Sequence, residues 1–290
     1  MHPYCMRTLI VPKKKTISID ARDYQILFLS SFLLLGIFTL GWEADVLKYY
    51  ILISSCLAFQ YVATLIFKLN LQSLKSALIT SLGLCILVQA SHWYLYILIA
   101  FVAIGGKFIF RFKGKHFINP ANFGIIATIL LTHQVWISPG QWGNMAILFF
   151  IIGCLGFLIT YKVNRMDLSF IFLLSFFLLE YSYQIIYLGW PVDHLLQSFT
   201  NGGFLLFTFF MITDPVSTPA HKTIRKYWAL GIAVLAFILK EFYYIPSAPF
   251  WALFYLAFTT PWISYFFPSE KFLWKKTIQN ISFKTPIKNK

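Results

Sequence analysis

Two stretches of this sequence set polar side chains at spacings that could bind charge. In the first, Lys107, Arg111, Lys113, Lys115 and His116 lead into Phe-Ile-Asn-Pro-Ala-Asn-Phe-Gly, residues 117–124. Asn119 followed by Pro120 reads as an N-cap and first helical residue. The helix begun there would turn free N–H groups and the positive end of its dipole toward those cations, which is an anion site in physical terms. A basic loop resting on anionic lipid is the competing reading. The second stretch is Phe-Met-Ile-Thr-Asp-Pro-Val-Ser-Thr-Pro-Ala-His-Lys, residues 210–222, where Thr213, Asp214, Ser217 and Thr218 precede His221 and Lys222. It offers a carboxylate, hydroxyls and cationic donors, or it is a helix-terminating turn.

Glu180 lies deep in an apolar run, and Gln184, four residues on, shares its helix face. An ionisable group at that depth is a proton or cation relay candidate, against the alternative of a hydrogen-bonded interhelical carboxyl. No histidine lies near mid-membrane, since His92, His133 and His194 map to the outer ends of apolar runs and His116 and His221 to inner ends, which argues against a bis-histidine haem. Cys5, Cys56, Cys85 and Cys154 form no CxxC or other ligand spacing, so no metal site or disulfide framework is expected.

The elements that must position these residues are transmembrane helices. With 59% hydrophobic and 12% charged residues, the chain is too apolar for a soluble globular protein. Apolar runs occur at about 24–41, 46–67, 74–90, 92–110, 117–132, 143–161, 168–190, 196–213, 227–240 and 248–267. This predicts an all-α integral membrane protein of about ten transmembrane helices over 24–267, with basic tails at 1–23 and 268–290. With the N-terminus inside, 22 of the 24 basic residues fall on the cytoplasmic side, together with both termini. The net charge of +14 thus records topology, and no basic helix is long enough for nucleic acid. The first run lacks a small-residue cleavage site and reads as an uncleaved helix.

Ten helices permit two inverted halves of five. The third and eighth runs carry small-residue interruptions, Ser81 and Gly83 in one and Asn201, Gly202 and Gly203 in the other, while the fifth and tenth carry Pro120 and Pro261. Broken helices are tolerated in a bilayer where their freed backbone groups are buried in protein or line a cavity.

Gly106-Lys107 and Asn119-Pro120-Ala121, followed by Phe-Met-x-Thr-Asp-Pro-Val-Ser at 210–217, resemble the NqrB/RnfD family. These are membrane subunits of the sodium-translocating NADH:quinone oxidoreductase and of the Rnf electron transport complex, and the Lys-Gly-Lys-His form is similar to the UnbU-like branch. The resemblance implies a ten-helix inverted repeat, FMN or another flavin, partner subunits for electron transfer and residence in the inner (plasma) membrane. Lys107, Arg111, Lys113, Lys115, His116, Asn119, Pro120, Asn122, Thr213, Asp214, Ser217 and Thr218 would then be the cofactor-binding set. The family attaches FMN to a threonine after the Asn-Pro helix. The connection at 133–143 contains no threonine, so a flavin here would be held non-covalently. Broken helices in an inverted repeat also describe a small-solute channel or transporter.

Overall fold

Capping side chains and apolar runs define the helices between them. The computed structural model describes residues 20–39, 45–138, 153, 156–158, 160–269 and 272. The tail before Asp20, most of the sixth apolar run and nearly all of the tail after Pro268 lie outside these residues, as do Cys5 and Cys154. In order come α1 (Ala21–Thr39), α2 (Val46–Ile66), α3 (Ser73–Leu87), β1 (Val88–Ala90), α4 (Trp93–Ile109), β2 (Arg111–Phe112) and β3 (Lys115–His116). Then follow α5 (Pro120–Thr132), β4 (Val135–Ile137), α6 (Met166–Glu180), a π-helical stretch (Tyr181–Tyr187), α7 (Val192–Phe199), α8 (Gly202–Leu206) and a second π-helical stretch (Phe207–Met211). The last helices are α9 (Lys222–Glu241), α10 (Ala248–Ala257) and α11 (Thr260–Phe266).

Asp45 accepts the Lys48 amide at 3.0 Å and Asn119 accepts the Asn122 amide at 3.2 Å, each satisfying a donor that its helix leaves free. His133, at φ 53°, closes α5 in the left-handed conformation. Three helical stretches, Ala21–Phe38, Val46–Ile66 and Met166–Tyr187, are long and apolar enough to cross a bilayer, and shorter apolar helices stand beside them. Phe38, Tyr50, Leu131, Phe170 and Tyr227 are largely exposed on the outside, a surface suited to lipid rather than water. Inside, Leu52, Ile99, Ile125, Phe172 and Phe207 are fully covered.

Lipid tails are as apolar as leucine, so close packing and polar contacts, not burial alone, hold such helices together. α4 and α5 show this. A Cβ on Gly124 would stand 2.6 Å from the Ala103 Cβ, so only glycine lets the backbones approach this closely. α6 and α9 are joined by an ion pair in which Arg225 donates to both Asp167 oxygens, at 2.6 and 2.8 Å.

The structure departs from the all-helical expectation in two short antiparallel ladders. Val88–Ala90 pairs with Val135–Ile137, joining the ends of α3 and α5. Arg111–Phe112 pairs with Lys115–His116 across Lys113 and Gly114, both at positive φ, which is the two-residue hairpin turn. The expected interruptions also differ. α3 runs unbroken through Ser81 and Gly83, with the Ser81 hydroxyl donating back to the Leu78 carbonyl at 2.9 Å inside the helix. The eighth run does break, at Thr200–Asn201, where Asn201 caps α8 by accepting the Gly203 amide at 2.8 Å. Pro120 and Pro261 each stand in the first turn of a helix, where no internal hydrogen bond is lost.

Candidate functional site

The two proline-punctuated stretches meet. Asn119 donates through Nδ2 to the Met211 carbonyl at 3.5 Å, while its Oδ1 caps α5. Asn122, one turn on, donates to the Phe250 carbonyl at 3.0 Å and ties α5 to α10. Asp214 folds its own turn: Oδ1 accepts the Val216 amide at 3.1 Å and Oδ2 accepts the Ser217 hydroxyl at 2.8 Å. Thr218 and Thr213 spend their hydroxyls on the Asp214 and Phe209 carbonyls.

His116 Nε2 lies 3.9 Å from Asp214 Oδ2. Burial pushes the imidazole down to about 4, against the pull of Asp214, so the ring is neutral at pH 7 and this contact is not an ion pair there. His116, Asn119, Pro120 and Asp214 line a cavity of about 110 Å³ whose other wall includes Arg22, Gln25 and Thr80, while Asn122, Thr213, Ser217 and Thr218 stay outside it. Charge counting places Arg22 in a tail, and nothing in the spacing of Gln25 or Thr80 points here.

The basic residues do not converge on one point. Lys107 is buried and donates to Gln60 at 2.9 Å and Ser76 at 3.2 Å. Arg111 reaches the Gly114 carbonyl, Lys113 the Ser264 carbonyl and Lys115 the Thr218 carbonyl. His221 caps α9, accepting the Ile224 amide at 3.4 Å, and does not line the cavity.

A second polar group lies elsewhere in the bundle. Glu180 is fully buried, and its Oε2 accepts from Gln184 Nε2 and from Lys240 Nζ, each at 2.5 Å. Gln184 also donates to Glu241 Oε1 at 3.0 Å, and Lys240 lies 3.3 Å from the same oxygen. The expected Glu180–Gln184 pair is therefore joined by two charged residues that the sequence offers only as helix-end charges. Lys240 reaches the wall of a larger cavity of about 400 Å³, lined also by Trp136, Ser198, Asn201 and Trp251.

Apolar helices wrapped around polar interior groups make this a helical integral membrane protein. The chain belongs to the NQR2, RnfD, RnfE family, whose model matches residues 127–272, half of its length. It is similar to a subunit of the ion-translocating oxidoreductase complex of Alcanivorax borkumensis, at 36% identity over 74 residues. That match covers 26% of this chain and 21% of the relative.

Proposed function

We propose that this chain is a membrane subunit of an ion-translocating redox complex of the inner membrane, built from about ten spans in two inverted halves, with both termini cytoplasmic. It works with partner subunits that supply and remove electrons. The observation that carries the reading is the Asn119–Met211 hydrogen bond, which joins the two motifs of the family resemblance at one cavity. Membership of the family and likeness to the Alcanivorax oxidoreductase subunit support the redox assignment.

A whole FMN does not fit this cavity: about 110 Å³ is below the roughly 300 Å³ at which ligand pockets begin. Lys107, Arg111, Lys113 and Lys115 donate elsewhere, and Arg22, the arginine that does line the cavity, is paired with Asp20. Electron transfer is therefore not assigned to a flavin at this place. Any flavin the chain carries is proposed to be non-covalent, since 133–143 lacks a threonine.

The test is deletion of the chain followed by assay of membranes. Electron transfer from a soluble reductant to a membrane acceptor should fall and return with the wild-type copy. Unchanged electron transfer, together with a colourless purified protein that conducts solute in liposomes, would overturn the reading in favour of a channel.

A further inference from the structure

The buried group around Glu180 holds more negative charge than positive. Two carboxylates, Glu180 from α6 and Glu241 from α9, share two donors, Gln184 Nε2 and Lys240 Nζ. One ammonium faces two carboxylates, so one negative charge has no counterpart among the described residues. The remaining oxygen of Glu180, Oε1, is buried and has no hydrogen-bond partner among the described residues. An ionised oxygen in that position is far costlier than a neutral hydroxyl. The titratable groups facing the pair are Lys240, on the same helix as Glu241, and His194 of α7, whose Nδ1 lies 3.4 Å from Gln184 Oε1. Beneath Lys240 is the Phe176 ring, 5.7 Å from the ammonium, which brings no compensating hydrogen-bonding group.

We propose that Glu180 and Glu241 form a shared proton-binding site, holding one proton between two carboxylates while Lys240 balances the second charge. Two like charges brought to one place cannot both remain ionised, and a single proton resolves the conflict. A metal cation serves less well, because the ammonium already sits 2.5 Å from Glu180 Oε2 and would repel it. The backbone supports a specialised role. The helix widens into π form at Tyr181, immediately after Glu180, and such widenings recur at functional sites. Lys240 carries the pair to the edge of the 400 Å³ cavity, giving the proton a polar neighbour outside the packed core. The site does not depend on the redox reading above.

The experiment is infrared difference spectroscopy of the full chain in liposomes at pH 7, comparing wild type with Glu180→Gln and with Glu241→Gln. The wild type should show the C=O band of a protonated carboxyl. Both variants should lose it, because one carboxylate paired with Lys240 has no like charge to escape. A band unchanged in either variant would overturn the proposal. So would a wild-type band abolished by sodium chloride at constant pH, which would mean a cation site. Each substitution keeps the shape of the side chain, and Glu241 closes its helix, so Glu241→Gln carries the test should Glu180→Gln fail to fold.

Discussion

Asn119 holds Met211 from 92 positions away, its Nδ2 on the Met211 carbonyl and its Oδ1 on the first turn of α5. One side chain thus starts a helix and fixes the loop that carries Asp214. Asn119→Ala removes both bonds and should cost about 1–2 kcal/mol. Asn119→Ser restores the cap but is too short for Met211, and should recover about half of that. Thermal melting in detergent measures both, and equal losses in the two variants would show that the cap contributes nothing.

Arg225 and Asp167 form a two-pronged ion pair with the Arg225 side chain only 5% exposed. Breaking it from either side strands a charge, so Arg225→Ala or Asp167→Ala should each destabilise by about 3 kcal/mol. The double variant should lose much less than the sum, since the two residues act through one contact.

The pH response of His116 has a definite sign. Its imidazole lies at about 4 in the folded chain against an ordinary 6.5, so the unfolded chain takes up the proton first as pH falls. Its contribution to stability is whole above pH 6.5 and is lost progressively toward pH 4. His116→Gln should flatten the melting temperature across that window, and an unchanged slope would place the titration elsewhere.

Gly124→Val should fail at the α4–α5 crossing. A Cβ there meets the Ala103 Cβ at 2.6 Å and the Ile99 carbonyl oxygen at 3.1 Å, so backbone must move. A loss of about 2 kcal/mol or more is expected, read as reduced melting temperature or poor insertion.

A reporter fused near Lys113 or after Lys290 should mark the cytoplasm, and one near Gln141 the opposite side, from the one-sided placement of 22 of 24 basic residues. A cytoplasmic signal at Gln141 would break the ten-span topology.

The features legible in the sequence are those set by near neighbours. Asn119 before Pro120 marks the start of α5, and the Asp214-Pro215 pair marks the end of the preceding helix. Less legible is where long side chains point. Charge counting places Lys113 and Lys115 on one side of a membrane, but each donates to a carbonyl more than 100 positions away, on Ser264 and Thr218. The Lys113-Gly114 hairpin turn is present as a dipeptide but is masked by the charges around it. Nothing near Glu180 could have named Lys240, 60 positions on, because only packing of α6 on α9 brings them together. Small residues are not equivalent breakers either. Gly83 is carried inside a helix, whereas Asn201 starts a new one, because Asn201 has a side-chain oxygen to offer the next turn.

The ladder between Val88–Ala90 and Val135–Ile137 changes how far a short segment can travel. Fifteen residues of α3 rise roughly 22 Å and thirteen of α5 roughly 20 Å, both less than a hydrocarbon layer of roughly 30 Å. Three extended residues rise roughly 10 Å, but the strands are antiparallel while α3 and α5, the third and fifth runs, point the same way, so β1 prolongs α3 and β4 doubles back after the left-handed turn at His133. Pairing with one another lets the two strands satisfy backbone groups that a lone extended segment would leave bare. A helix continued by a strand therefore gains reach with fewer residues than a continuous helix requires, while the strand that doubles back secures it, an arrangement that rules based on helix length alone will undercount.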